Sequence, residues 1–460
     1  MIRVCKNDKE SVFAIIRQGK LDAAALSTSN LVDEIILSMY KHGIFTCLEN
    51  GICDKRAANT TVPFGIIWAA AIAAKMKVQT SLSDIPFALS DHRTLAELGY
   101  TLYDPDGVYS GLMREGSLRF LLGKYTWDEL LNAYRLTVRD QIIPQLGIQP
   151  HIHILDCTPL EVNFKNSRYE NSGIGVNKSG EHARGYSMLT MRGICGDSGI
   201  IEDFFVAPLG FADAKFGEIV LNATRVFHEG DILINDRGFL SRRTLNFVKN
   251  IHHVDTYLPL KRNMEAYKFA IQCAQEENCW GQHPNPKRPT QKIALVKNLG
   301  GLWKSDNPAE DVDINACVVW DTSTNQYFVF ATTDLTKSAR EIVKTYELRP
   351  EIEEDYRQLK DFWQIEDFKS TQYNVICFHI VCVLFGYLFF QLYTMLPEGA
   401  QFIGRSLPVI LKSYTPRALG SIILYVGCCF GIFSLVEMMR IYAECNNTIK
   451  QKLEEVIGKL

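Results

Sequence analysis

Hydrophobic and polar positions change rhythm twice along the 460-residue chain. The first 150 residues follow a helical rhythm. Leu31-Val32, Ile35-Ile36 and Met39-Tyr40 recur at the spacing of an amphipathic helix, and residues 62–74 form a compact apolar helix ending in Lys75-Met76-Lys77. Residues 81–84 have the composition of a helix start, and 127–143 predicts another amphipathic helix, stopped by Pro144 and Gly147. At Pro150 the texture changes. Short strands are predicted at 151–156, 186–194, 204–208, 231–236 and 256–260, with helices at 213–227 and 241–248. That order, β-β-β-α-β-α-β, predicts an α/β fold whose mixed sheet is flanked by helices.

The second change comes near residue 262. Residues 262–335 read as a separate β-rich insertion: 280–289 is a loop with three prolines, and apolar runs at 316–320 and 327–330 flank a polar turn, a hairpin pattern. Ser338 and Glu341 then form a capping box that opens a charged helical region reaching Asp361. Two stretches, 376–396 and 418–436, contain no Asp, Glu, Lys or Arg and exceed the ~18 residues that a membrane span requires. His379 and Gln391 in the first, and the glycines and cysteines of the second, favour a pair of buried helices over membrane spans. Residues 437–460 predict a charged amphipathic helix. The expected division is therefore 1–149 (helical), 150–261 (core, first part), 262–335 (insertion), 336–396 (core, second part) and 397–460 (helical).

Composition narrows the class. With 47% hydrophobic, 22% charged and 11% aromatic residues, the chain is globular rather than disordered or fibrous. Forty-nine basic residues against 52 acidic give a net charge of −3, so there is no global basic footprint and any nucleic-acid path must be local. The 13 cysteines include no CxxC pair and several sit in apolar runs, as expected of buried reduced thiols in a cytoplasmic protein. The charged N-terminus has no apolar core of a secretory signal. His151 and His153 lack metal-ligand spacing and read as structural or surface residues; Gly196-Asp197-Ser198-Gly199 reads as a turn.

Three acidic residues stand out by context. Asp156 and Asp236 each end a strand rich in Ile and Leu, the place where sites collect in α/β sheets. Glu353 follows Tyr346 and Arg349 and precedes Lys360 by seven residues. On a helix these offsets share one face, although Pro350 must kink that helix or begin a new one, so the common face is firmest for Glu353 and Lys360. Carboxylates brought together repel unless neutralised, and hard divalent cations held by oxygen ligands are the natural solution. Two Mg²⁺ ions about 4 Å apart serve phosphoryl transfer, with Arg and Lys alongside as phosphate contacts. The chemistry read from the residues is metal-dependent phosphodiester cleavage or transfer without an organic cofactor.

Tyr346-x-x-Arg349-x-x-x-Glu353-x(6)-Lys360 resembles the YREK signature of insertion-sequence DDE transposases with a β-strand insertion domain. Leu155-Asp156-Cys157-Thr158 is similar to that family's first-Asp strand, and Ile234-Asn235-Asp236-Arg237-Gly238-Phe239 to its second-Asp motif. The resemblance covers roughly 150–395. It implies an RNase H-like mixed-sheet catalytic core interrupted by the β-rich insertion, with an α-helical N-terminal domain. It implies that Asp156, Asp236 and Glu353 hold two Mg²⁺, with Mn²⁺ able to substitute, and that Tyr346, Arg349 and Lys360 contact DNA near the cleaved end. Lys261 and Arg262 become candidate phosphate contacts. Trp280, Trp303 and Trp320 are candidates to stack on a flipped base; Trp320, in an apolar strand, is read as core, and Trp303, in a loop after Gly300-Gly301, is carried as a candidate DNA contact.

The expected function is DNA transposition: cleavage at element ends, then strand transfer to target DNA by 3′-hydroxyl attack. Expected partners are double-stranded DNA, as terminal inverted repeats bound by the helical N-terminal region and as target, and a second copy of the chain in a homodimer on DNA, with no membrane involved. The rivals are a metal-dependent nuclease that does not join and an inactive DNA-binding relative.

Overall fold

A computed structural model describes residues 6–458 except 58, 59, 61, 90, 104–111, 178, 197, 415 and 416, so Cys5 and Asp197 lie outside the described residues. The chain divides into two compact units, one made of Met1–Gln145 and Leu359–Leu460, the other of Leu146–Gln358.

The first unit begins with strand β1 (Lys6–Asn7), helix Lys9–Arg17 and strand β2 (Ala23–Ser29). Among the helices that follow are Leu31–Lys41, Ile44–Gly51, Phe64–Met76 and Trp127–Thr137. Their starts are chemically marked. Asn30 caps the first by accepting from the Val32 N–H, and Thr126 with Glu129 closes a capping box on the last. The helix predicted over 127–143 becomes π-helical at Val138–Ile142, just before Pro144. The apolar stretch at 376–396 lies in helix Tyr373–Met395, long and apolar enough to cross a membrane, yet 94% of its most apolar window is buried inside the protein. Like Phe64–Met76, it is apolar around its whole circumference, the mark of a helix with neighbours on every side. Phe378 and Phe385 pack on Trp68 at 5.3 and 6.4 Å, and Phe389 meets Phe45 edge-on at 5.7 Å. A Cβ at Gly386 would press on Met76 and Trp363, so glycine is what permits the close crossing.

The second unit is one mixed sheet with helices against it. Its strands are β3 (Ile152–Val162), β4 (Gly173–Val176), β5 (His182–Cys195), β6 (Ser198–Pro208), β7 (Ile232–Asn235), β8 (Asp255–Pro259), β9 (Gly281–Gln282), β10 (Gln291–Val296), β11 (Asn315–Asp321) and β12 (Gln326–Thr332). Their order is β4-β5-β3-β7-β8-β12-β11-β10-β9, with β6 also paired to β5. β3, β7 and β8 run parallel, joined by helices Asp213–Ala223 and Arg242–His252; β5 is antiparallel to β3. The predicted strands are present, several of them longer than the sequence pattern indicated. The insertion is β-rich and carries the expected hairpin, but its strands are not detached. β12 pairs with β8 in the register Ala331↔Leu258, so the insertion extends the core sheet and buries helix Glu265–Glu277 on it. The Ser338–Glu341 capping box is made in both directions.

The chain then returns to the first unit, where the sequence reading needs a correction. The segment 418–436, expected to be a second buried helix within a helical C-terminal region, is a β-hairpin: β13 (Arg417–Val426) pairs antiparallel with β14 (Cys429–Ser434). Gly427, in the left-handed region with φ +60°, makes the turn. The hairpin lies between β1 and β2 in a four-stranded sheet of order β1-β14-β13-β2. An apolar run carries no period when both faces are covered, so helix and strand look alike in sequence. The final helix is also two, Leu435–Glu444 and Asn447–Ile457, the second capped by Asn446. No disulfide joins the 12 cysteines within the described residues.

Candidate active site

Asp156 and Asp236 come together because β3 and β7 are neighbours. Leu155 pairs with Asn235 across the parallel ladder, so the next residue on each strand, Asp156 and Asp236, stands beside the other where the ladder ends. Asp156 is 8% exposed; its Oδ1 accepts from the Cys157 N–H at 2.9 Å. Asp236 sits before the 3₁₀ turn Arg237–Phe239, and its Oδ1 accepts from the Arg237 N–H at 2.7 Å.

Helix Ala339–Tyr346 ends three residues before Arg349, and Pro350 opens a new helix, Pro350–Arg357, with Arg349 as its cap. Arg349 then reaches all three acids. Its Nη2 lies 2.9 Å from Asp156 Oδ2 and 3.6 Å from Asp236 Oδ2, and its Nη1 lies 2.7 Å from Glu353 Oε1. Burial pushes the Asp156 carboxyl up to about 6, against the pull of Arg349 and with the help of Asp236 and Glu353. The Tyr346 hydroxyl is also pushed up, first by burial, and feels Arg349 and the three carboxylates; its ring packs on Phe330 at 4.5 Å.

Two further anchors, absent from the sequence reading, fix this helix on the sheet. The Tyr356 hydroxyl donates to the Asp156 carbonyl oxygen at 2.6 Å and lies 2.7 Å from Thr190 Oγ1, the residue paired with Asp156 across the sheet. Arg192 on β5 is ion-paired with buried Asp355 and lies 3.4 Å from Glu351. Tyr356 follows Glu353 by three residues, so helical spacing could have put it on the same side of the helix, but nothing in the sequence names its partners.

The other candidates distribute unevenly. Lys261 follows β8 and acts electrostatically on Asp213, whose carboxyl is raised by burial and by Asp236. Arg262 acts on the hydroxyl of Tyr267 in the insertion. Trp303 packs on the insertion core with the Arg242 guanidinium 5.5 Å from its ring. Trp320, read as core, is half-buried and stacks on Tyr327 at 6.0 Å. Lys360 belongs to the first unit, in a π-helical turn Gln358–Phe362, paired with Glu366 at 2.9 Å. The seven-residue step from Glu353 to Lys360 thus passes through a π turn, which shifts the register of a straight α-helix.

Residues 152–389 match the family model described as a transposase DDE domain, a span covering more than half of the chain. The chain belongs to the DDE transposase family. Its mixed sheet, with β3 flanked by antiparallel β5 and parallel β7, is the RNase H-like core of this transposase. A comparison with curated proteins finds no match.

DDE transposases generally use divalent metals, and the donor set can be tested against that. Three carboxylates form an all-oxygen set suited to a hard cation, and buried Asp156 has most to gain from a positive partner. As the side chains stand, no three His, Cys, Asp or Glu among the described residues form a ready metal cage. In this structure the shared positive partner is Arg349. The residues fit the metal chemically, with the guanidinium set among them.

A second charged cluster, near the start of the same strands, was also invisible in sequence. Buried His153 on β3 lies 2.6 Å from Glu202 Oε1 through Nδ1 and 3.0 Å from Asp231 Oδ2 through Nε2; His151 meets Asp231 at 2.9 Å. Burial alone would lower the His153 imidazole, but the two carboxylates outweigh it and push it up to about 9. A Cβ on Gly193, the residue paired with His153, would clash with Glu202, so glycine lets that side chain cross β5.

Proposed function

We propose that this transposase is of the YREK group and cuts DNA at element ends, then joins the freed 3′-hydroxyl to target DNA. The observation that carries this reading is the meeting of Asp156, Asp236 and Glu353 on Arg349. Asp156, Asp236 and Glu353 would hold two Mg²⁺, or Mn²⁺, which when bound neutralise charge on the phosphodiester and activate the attacking oxygen. Tyr356 and Arg192 fix the helix bearing Glu353, so that the acid returns to one position over β3. Arg349 and Tyr346, beside the acids, orient the phosphate near the scissile bond, and Lys261 extends the positive path past Asp236. Lys360, Arg262 and Trp303 contribute further DNA contacts, the last by stacking. Terminal inverted repeats, target duplex and a second copy of the chain are the partners this chemistry needs, because two ends must be paired before joining. The cytoplasm is the expected compartment.

The test uses the 460-residue chain and duplex DNA taken from both sides of its reading frame. Wild type should nick and join this DNA with Mg²⁺. Glu353→Gln should still bind it but lose both reactions. Full activity in Glu353→Gln contradicts the assignment, and cleavage without joining by wild type supports the nuclease instead.

A further inference from the structure

We infer that Arg349 is a built-in competitor of the metal, whose displacement from the three carboxylates frees it to take a DNA phosphate. This rests on the proposed metal-holding role of Asp156, Asp236 and Glu353. The decisive detail is which oxygens are engaged. Asp156 Oδ1 and Asp236 Oδ1 each accept a backbone N–H, from Cys157 and Arg237. That leaves the Oδ2 atoms as the ones facing the cluster, and both are paired with the single Nη2 of Arg349, at 2.9 and 3.6 Å. The other terminal nitrogen holds Glu353 Oε1 at 2.7 Å. A divalent cation bound by these carboxylates needs the same oxygens and would stand against a guanidinium at contact distance. Two cations so close repel, and the repulsion is strong where Asp156 is buried. Binding one therefore weakens the hold on the other.

Arg349 caps the Pro350–Arg357 helix at the joint between two helices, so its backbone can stay while its side chain swings. A guanidinium released from carboxylates is the group best shaped for two-pronged contact with phosphate. Metal loading and phosphate capture are then two halves of one exchange: the cation takes the acids and the arginine takes the substrate. In the absence of metal the same arginine neutralises a cluster that would otherwise repel itself.

The experiment is a calorimetric titration of the chain with Mn²⁺ alone, without DNA, comparing wild type, Arg349→Gln, Arg349→Lys and Asp156→Asn, each checked for native circular dichroism. Arg349→Gln should bind Mn²⁺ about fivefold more tightly than wild type, the scale of one lost competing ion pair of about 1 kcal/mol. Arg349→Lys should fall between them, and it answers the question if the glutamine variant does not fold. Asp156→Asn should bind poorly. Mn²⁺ binding that is equal or weaker in both Arg349 variants overturns the inference while leaving the metal site standing. Mn²⁺ binding that is absent throughout, or undiminished in Asp156→Asn, overturns the metal site and the inference together.

Discussion

The strands β3 and β7 carry a cluster of acids and one cation at each end, and the two clusters are built for opposite ends. At the entrance, His153 is enclosed between Glu202 and Asp231, with both ring nitrogens used. At the exit, Arg349 serves three carboxylates, of which the Glu353 side chain remains 53% exposed. The first cluster encloses His153 between two buried acids, with His151 and His228 meeting Asp231 at its solvent edge. The second leaves three acids to one guanidinium and opens toward solvent through Glu353. Similar ingredients on one sheet thus give a structural pin where burial is complete and a chemically available site where it is not. Burial and charge balance, more than residue type, separate them.

The entrance cluster is most vulnerable at Asp231. Asp231→Asn removes the charged acceptor shared by His153 Nε2, His151 Nδ1 and the His228 N–H, and should cost about 3–5 kcal/mol in urea unfolding. Cleavage per folded molecule should be unchanged, because the residue is remote from Asp236 in role although five positions away in sequence.

A pH ramp sharpens the same contrast. The folded His153 value, pushed up to about 9, lies above its ordinary 6.5. Its stabilisation is therefore complete below about pH 6.5 and disappears as pH rises through about 9, on the order of 3 kcal/mol in total. Unfolding midpoints measured from pH 6 to pH 10 should fall for wild type and stay nearly flat for His153→Gln. The smallest effect concerns the bridge from sheet to helix. Tyr356→Phe removes the donor to the Asp156 carbonyl and should cost about 1–3 kcal/mol in stability. It should also slow cleavage, since the helix that carries Glu353 loses an anchor.

Much of this site was readable in the sequence for a physical reason. Asp156 and Asp236 end apolar strands, and the Tyr346–Lys360 spacing with Pro350 marks a helix start at Arg349. These are local signals. The entrance cluster was not readable: Glu202 and Asp231 lie 49 and 78 residues from His153, and only the pairing of strands unites them. The same holds for Arg192 and Asp355. β2 was missed because Ala23-Ala24-Ala25-Leu26 shows no strand preference of its own, and its pairing with β13 overrides propensity. The 418–436 hairpin was misread because its apolar run is continuous, and Gly427 alone did not disclose a turn.

Asp156→Asn, measured for DNA cleavage and for thermal unfolding in one preparation, separates the two clusters most directly. Asn keeps the size of the side chain but removes a charge that burial disfavours, so stability should hold or rise, while Mg²⁺-dependent cleavage falls at least about a thousandfold. Cleavage at the wild-type rate, or a loss of stability like that of Asp231→Asn, would contradict the division between the two clusters.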